Sequence, residues 1–303
     1  MNTTPLPRIH SLEEVLAQLA RIGALLPPDD PLELPPFGTH PHFEVSERDF
    51  QPLTTSPYTQ LAPVPAEPVD WWPGHPEDPY LQEEDLRRSP ATELIAWYCG
   101  YHHHRPDRWG IYIRERAVIA VTQDLHARMA QKGRCDLTAG EVRNLFFDKV
   151  WHHEYFHHLA EAAVTRLELR HGIPLYPRRL QHYRTMRRTG RFMAEEMCAN
   201  AYAIDRVSAQ VFVRPDGHYR STWGLEALQE WMRHQPPGYN AFDRALGPIH
   251  RILALRTLAE DSLPVHPGLH HEFLHDVLNE FAGNGRLYRT GKDAVPLFLV
   301  DRL

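Results

Sequence analysis

The chain has 303 residues, 42% of them hydrophobic and 24% charged, with a net charge of −6. That is enough to bury a sizeable core, in one large domain or two smaller ones, and the acidic balance argues against a general nucleic-acid coat. Cys99, Cys135 and Cys198 form no C-x-x-C pair, the N-terminus lacks a charged-then-apolar leader, and no apolar run reaches the roughly 18 residues of a membrane span, so a cytoplasmic protein with no disulfide framework and no membrane contact is expected.

In chain order, Ile9 to Leu26 reads as an amphipathic helix. Ser11 and Glu14 fit a capping box, Leu12, Val15, Leu16, Leu19 and Ile22 form its stripe, and Pro27-Pro28 stops it. The Pro-rich region that follows, to about residue 89, sustains no helical or strand period. Its aromatics, Trp71-Trp72 among them, suggest an arm wrapped on the core; covering a cleft or docking a partner is the sharper alternative. Ala91 to Cys99 reads as a helix ending at Gly100, and His102-His103-His104 before Pro106 as a solvated loop. Trp109–Ile113 and Val118–Val121 read as two strands joined by a polar turn, with a helix over Leu125–Lys132 ended by Gly133.

Thr138-Ala-Gly-Glu141 then matches a capping box, and Gly172 before Pro174 a helix stop. Between them Val142, Leu145, Phe146, Val150, Ala160, Val164 and Leu167 carry a helical stripe that His153 and His157 continue. Those two histidines belong to His153-Glu154-Tyr155-Phe156-His157, an H-E-x-x-H. Two imidazoles four apart on a helix share a face and can hold one zinc ion. The Glu beside the first can take a proton from water activated there.

Residues 170–191 are strongly basic, with Arg170, Arg178, Arg179, Arg184, Arg187, Arg188 and Arg191. They read either as a solvated connection or as a docking surface for an acidic partner, substrate or nucleic acid. Further helices are expected at Arg191–Val211, Leu225–His234, Phe242–Leu258 and Leu269–Ala282, with a final strand at Val295–Val300.

A hydrolytic zinc site needs three protein ligands and one open position. Glu196 is the best candidate for the third: it shares a helical face with Asn200, which could orient a ligand His. Its neighbour Glu195 competes for the role, and an ion pair with one of the arginines is the alternative for either. Tyr176, His182 and Tyr183 are the leading candidates for an oxyanion donor, with His234, His250 and His271 behind them.

The succession of strand pair, H-E-x-x-H helix and Glu196-Met-Cys-Ala-Asn200 on a following helix resembles the gluzincin-type zinc metallopeptidases. It is similar to their small ImmA/IrrE-like branch, over about residues 90–211. The resemblance implies a mostly helical α+β fold with a zincin-like core. It makes Glu154 the general base and His153, His157 and Glu196 the zinc ligands, and puts Val118–Val121 near a cleft edge where a substrate strand could pair. Residues 1–89 are then an N-terminal arm and 212–303 a helical extension packed on the core. A selective endopeptidase acting on a protein or peptide is expected; the alternative is a zinc-stabilised binding or sensing module that uses 170–191. A second match, His271-Glu272-Phe273-Leu274-His275, lies on a predicted helix whose apolar stripe explains it without a metal.

Overall fold

A computed structural model of the chain describes residues 11–26, 52–69, 95–103, 109–134, 137–188, 194–211, 222–235, 238–281 and 295–300. Among these the elements run α1 (Leu12–Arg21), α2 (Pro57–Gln60), β1 (Ala96–Cys99), β2 (Gly110–Arg114), α3 (Glu115–Gln131), α4 (Ala139–His171), α5 (Tyr176–Arg188), α6 (Ala194–Val211), α7 (Trp223–Arg233), α8 (Pro248–Ser262), α9 (His270–Phe281) and β3 (Leu297–Val300). Short 3-10 turns occupy Tyr101–His103, Tyr239–Ala245 and Pro267–Leu269. The protein is therefore mostly helical, with one small sheet.

Helix α4 is set by its ends. The Thr138 hydroxyl accepts from the Glu141 amide, and the Glu141 carboxylate accepts from the Thr138 amide at 2.9 Å, a reciprocal capping box. Gly172 takes the left-handed conformation at φ 66° and its N–H donates to the Glu168 carbonyl, closing the helix. From Leu159 to Glu168 every residue is buried, so this half of α4 runs through the core rather than along it. Helix α6 packs against α4 and is buried from Ala194 to Ile204.

The sheet has the order β1-β2-β3, with β1 antiparallel to β2 and β3 parallel to it. Trp97, Tyr112 and Phe298 stand opposite one another and stack, with ring centroids 5.2 and 4.5 Å apart. On the other face Ile111, Ile113, Leu297 and Leu299 join the main core beside α4. Gly110, at φ +140°, is required where β2 meets β3: a Cβ there would lie 2.5 Å from the Pro296 carbonyl oxygen.

Several expectations fail for tertiary reasons. Residues 96–99 form a strand, because Trp97 and Tyr98 are used by the sheet and by α4; residues 91–94 lie outside the described set. Val118–Val121 is not a strand. Helix α3 starts directly after β2, and Ala117, Val118, Val121, Leu125 and Met129 bury one face at helical spacing. Its backbone is spent within the helix, so it offers no edge to a substrate; β1 and β2 are the strands that contact α4. The helix expected over Phe242–Leu258 is broken by Gly247, at φ 81°, and Pro248, which starts α8. His102 is fully buried rather than solvated, and His104 lies outside the described residues.

The described Pro-rich stretch of the N-terminal arm, 52–69, is held chiefly by side chains gripping its backbone. The Leu53 amide donates to the Leu297 carbonyl at 2.8 Å, extending the sheet edge. Glu115 accepts from the Ala62 amide at 2.7 Å, Arg143 donates to the Ala62 carbonyl, and the Gln123 amide bonds Pro65, Glu67 and Val69. Tyr58 adds a contact to Asp148 and an edge-on packing against Phe147. Trp71 and Trp72 fall outside the described residues.

Candidate metal centre

The 3.6-residue period brings His153 and His157 onto one face of α4, and the buried α4–α6 contact brings Glu196 against them. The Nε2 atoms of His153 and His157 are 3.4 Å apart, and the Glu196 Oε2 lies 3.2 Å from the first and 3.5 Å from the second. His153 and Glu196 are buried; the His157 side chain retains 17% exposure, so the group opens on its side. This is the one His/Cys/Asp/Glu group among the described residues able to hold a metal ion.

Hydrogen bonding behind the triangle fixes which atoms face inward. The Asn200 Nδ2 donates to the Tyr239 carbonyl at 2.8 Å, which turns its Oδ1 toward His153 Nδ1 at 2.8 Å. An amide oxygen can only accept, so Nδ1 of His153 carries the proton and Nε2 presents a lone pair. In the same way the Glu195 Oε1 accepts from His157 Nδ1 at 2.9 Å. The Glu196 Oε2 is buried and accepts no hydrogen bond from any described group. Two imidazole Nε2 atoms and a carboxylate oxygen therefore converge in a buried space, where the carboxylate must be balanced by a proton on an imidazole or by a metal ion. Such a cluster needs a cation. Ligands 2.0–2.1 Å from a tetrahedral zinc stand about 3.3 Å from one another, which is the size of the observed triangle.

The electrostatics agree with that assignment. Burial, outweighing the Glu196 contact, pushes the His153 imidazole down to about 4, so it is neutral, as a ligand must be. Burial opposes charge on His157 too, but Glu196 and Glu195 overcome it and raise its pKa well above the usual imidazole value. A proton on His157 thus does part of the work of the missing positive charge, and an incoming metal displaces it. Burial also opposes ionisation of Glu196 and Glu195, yet the histidines hold Glu196 well below the carboxylate range, and Arg179 with His157 brings Glu195 down to about 2.

Glu154 is buried next to the triad. Lys149, one turn before His153 on the same face, is fully buried, with its ammonium 5.3 Å from the Trp231 ring. Burial lowers it to about 7, against the pull of Glu154 and Glu196. Nothing in the motif announces Lys149; the signal available was a lysine on an apolar stripe.

The remaining candidates are placed elsewhere. Glu195 is not a third ligand but the support of His157. Tyr176 and Tyr183 flank Arg179, ring centroids 5.8 and 5.2 Å from its guanidinium carbon, and the Tyr183 hydroxyl meets Ser262 and also reaches Glu195, behind His157 rather than in the triangle. His182 is half-buried beside Tyr183, while His234, His250 and His271 are exposed. The ring packed on His153 is Tyr239, which was not among the expected residues.

One turn beyond the motif lies a second polar cluster that composition does not reveal. His102 donates from Nδ1 to Glu161 at 2.6 Å and from Nε2 to Glu168 at 2.7 Å, sandwiched between two buried carboxylates. Tyr98 donates to Glu161 at 2.5 Å and contacts His158 Nδ1 at 3.0 Å, while Tyr176 stacks on the His102 ring at 4.1 Å. A Cβ on Gly100 would strike Glu161 at 2.6 Å, so glycine is needed for the approach.

No family model matches this chain, and no curated protein or solved structure is found similar to it. No helix among the described residues is long and apolar enough to cross a membrane.

Proposed function

We propose that the chain is a zinc-dependent peptidase with a zincin-like core, a selective endopeptidase in which His153, His157 and Glu196 bind the ion and Glu154 is the general base. The observation that carries this reading is the triangle of two imidazole nitrogens and a carboxylate oxygen, 3.2 to 3.5 Å on each side, with the buried Glu154 next to His153 in the chain. Three protein ligands and one open position suit catalysis better than a closed structural site, which takes four. When bound, zinc supplies Lewis acidity that polarises a peptide carbonyl and makes water a nucleophile near neutral pH.

The chain's own residues do the rest. Asn200 and Glu195 hold the two imidazoles in the tautomers that present Nε2. Glu154 accepts a proton from the attacking water on its carboxylate and returns it to the leaving amine nitrogen. Lys149, brought down to about 7 by burial, can exchange a proton near neutral pH beside two buried carboxylates. The burial of Glu154 and His153 excludes bulk water from the reacting groups.

The burial of two of the three ligands favours a second reading, a non-catalytic module in which the metal stabilises the fold. Glu154→Gln separates them. For a peptidase, the variant binds metal like the wild type but loses about 10²–10⁴ in turnover of a peptide library. For a binding module, the wild type and Glu154→Gln are alike in every peptide assay.

A further inference from the structure

The basic segment 170–191 has no place in the proposed reaction, yet its helix reaches the metal centre. Helix α5 is anchored at its start, where the Leu175 and Tyr176 amides donate to Glu168 Oε1 at 2.7 and 2.8 Å. Glu168 belongs to α4 and also holds His102, so the start of α5 is tied to the same helix that carries the ligands. One turn on, Arg179 points inward rather than into solvent. It is 4% exposed, its guanidinium lies between the Tyr176 and Tyr183 rings, and it donates to Glu195 Oε2 at 2.6 Å. The other oxygen of Glu195 accepts from His157 Nδ1 at 2.9 Å.

The two ligand histidines are thus supported unequally. His153 leans on a neutral amide, Asn200, and is fully enclosed. His157, on the open side, leans on a carboxylate that is itself held by a buried guanidinium. A charged acceptor behind an imidazole makes the opposite nitrogen a stronger donor to a metal and fixes the ring. The second oxygen of that buried carboxylate accepts a charge-assisted hydrogen bond from Arg179, the charged partner that holds it, with Tyr183 also reaching Glu195.

We infer that Arg179 and Glu195 are positioning residues of the metal site, a relay through which helix α5 sets how tightly His157 holds the ion. The inference rests on the metal-binding reading of the triad. It assigns Arg179, at least, to the site's support rather than to a docking surface for an acidic partner.

The test is zinc affinity of the full chain, by competition with a chromophoric chelator, together with the visible absorption spectrum of the cobalt-loaded protein. Arg179→Met is expected to weaken zinc binding about 10- to 100-fold and to change the cobalt bands, with Arg179→Lys recovering most of the loss. Glu195→Gln, which keeps shape and a hydrogen bond, is expected to weaken binding about tenfold. The double variant should bind no more weakly than Arg179→Met alone, because both changes act through one path. Should Arg179→Met not fold, Glu195→Gln and the double variant, in which no unpaired carboxylate is left, carry the test. Folded variants with wild-type affinity and unchanged cobalt bands would overturn the relay while leaving the metal site standing. A wild-type chain that binds neither zinc nor cobalt would overturn the metal-binding reading itself.

Discussion

The chain carries the same five-residue pattern twice, on α4 at 153–157 and on α9 at 271–275, and the two copies share little else. Both are helical, with histidines on one face. In the first copy His153 and Glu154 are buried, and Glu196 arrives from another helix. In the second, His271 and His275 are exposed, Phe273 and Val277 make the packing, and Glu272 is taken by Arg170 at 2.7 Å and His171 at 3.1 Å. A helix spaces two imidazoles correctly at no special cost. What makes a site is a third ligand from elsewhere, a set of hydrogen bonds that fixes the tautomers, and burial that raises the demand for a cation.

Predictions follow from that contrast, largest effect first. Glu196→Ala removes one of three ligands and should weaken zinc binding on the order of a thousandfold, while His271→Ala leaves it unchanged; both are read by metal titration. Affinity for the first site should also fall as pH is lowered, because the proton held by His157 competes with the metal.

Next in size is the His102 cluster, which ties α4 to the 3-10 turn at Tyr101–His103. Burial disfavours charge there, but Glu168 and Glu161 raise His102 from 6.5 to about 9. A raised histidine stabilises the folded state fully below the unfolded value and loses that contribution as pH climbs through the folded one. Urea unfolding should therefore show a loss of stability between about pH 6.5 and 9 that His102→Gln lacks. At pH 6 that substitution should cost about 3–5 kcal/mol, because it leaves two buried carboxylates without the cation between them.

A smaller effect is expected at Lys149. Lys149→Met removes a group that is protonated below about pH 7 and should tighten zinc binding about tenfold at pH 6, as a screened charge–charge repulsion is relieved, and less at higher pH; a lysine of purely structural value would leave affinity unchanged. Least of all, Glu272→Gln breaks a partly exposed ion pair in the second copy. It should change stability by under about 1 kcal/mol in thermal or urea unfolding.

How much of this was legible depended on range. Helix α4 could be read to within a residue or two because its signals are local: Thr138 with Glu141 at one end, Gly172 at the other. Glu196 and Asn200 could be proposed because they repeat the helical period on one face. The sheet was misread where β-branched residues, Val118 to Val121, sit in a helix whose packing outweighs their propensity, and where Ala96 to Cys99 gain a strand partner only in three dimensions. Arg179 looked like one of many surface arginines, because nothing local distinguishes it. Its burial depends on Glu195, sixteen residues on and on another helix. His102 lay in what reads as a polar loop, and its two carboxylates are 59 and 66 residues away.

The most direct measurement is the metal content of the purified full chain after loading with zinc and dialysis, compared across two sets of variants. The account predicts one zinc per wild-type chain, retained when His271 and His275 are both replaced by alanine and lost when His153 and His157 are. Zinc that survives the loss of His153 and His157, or that leaves with His271 and His275, would contradict it.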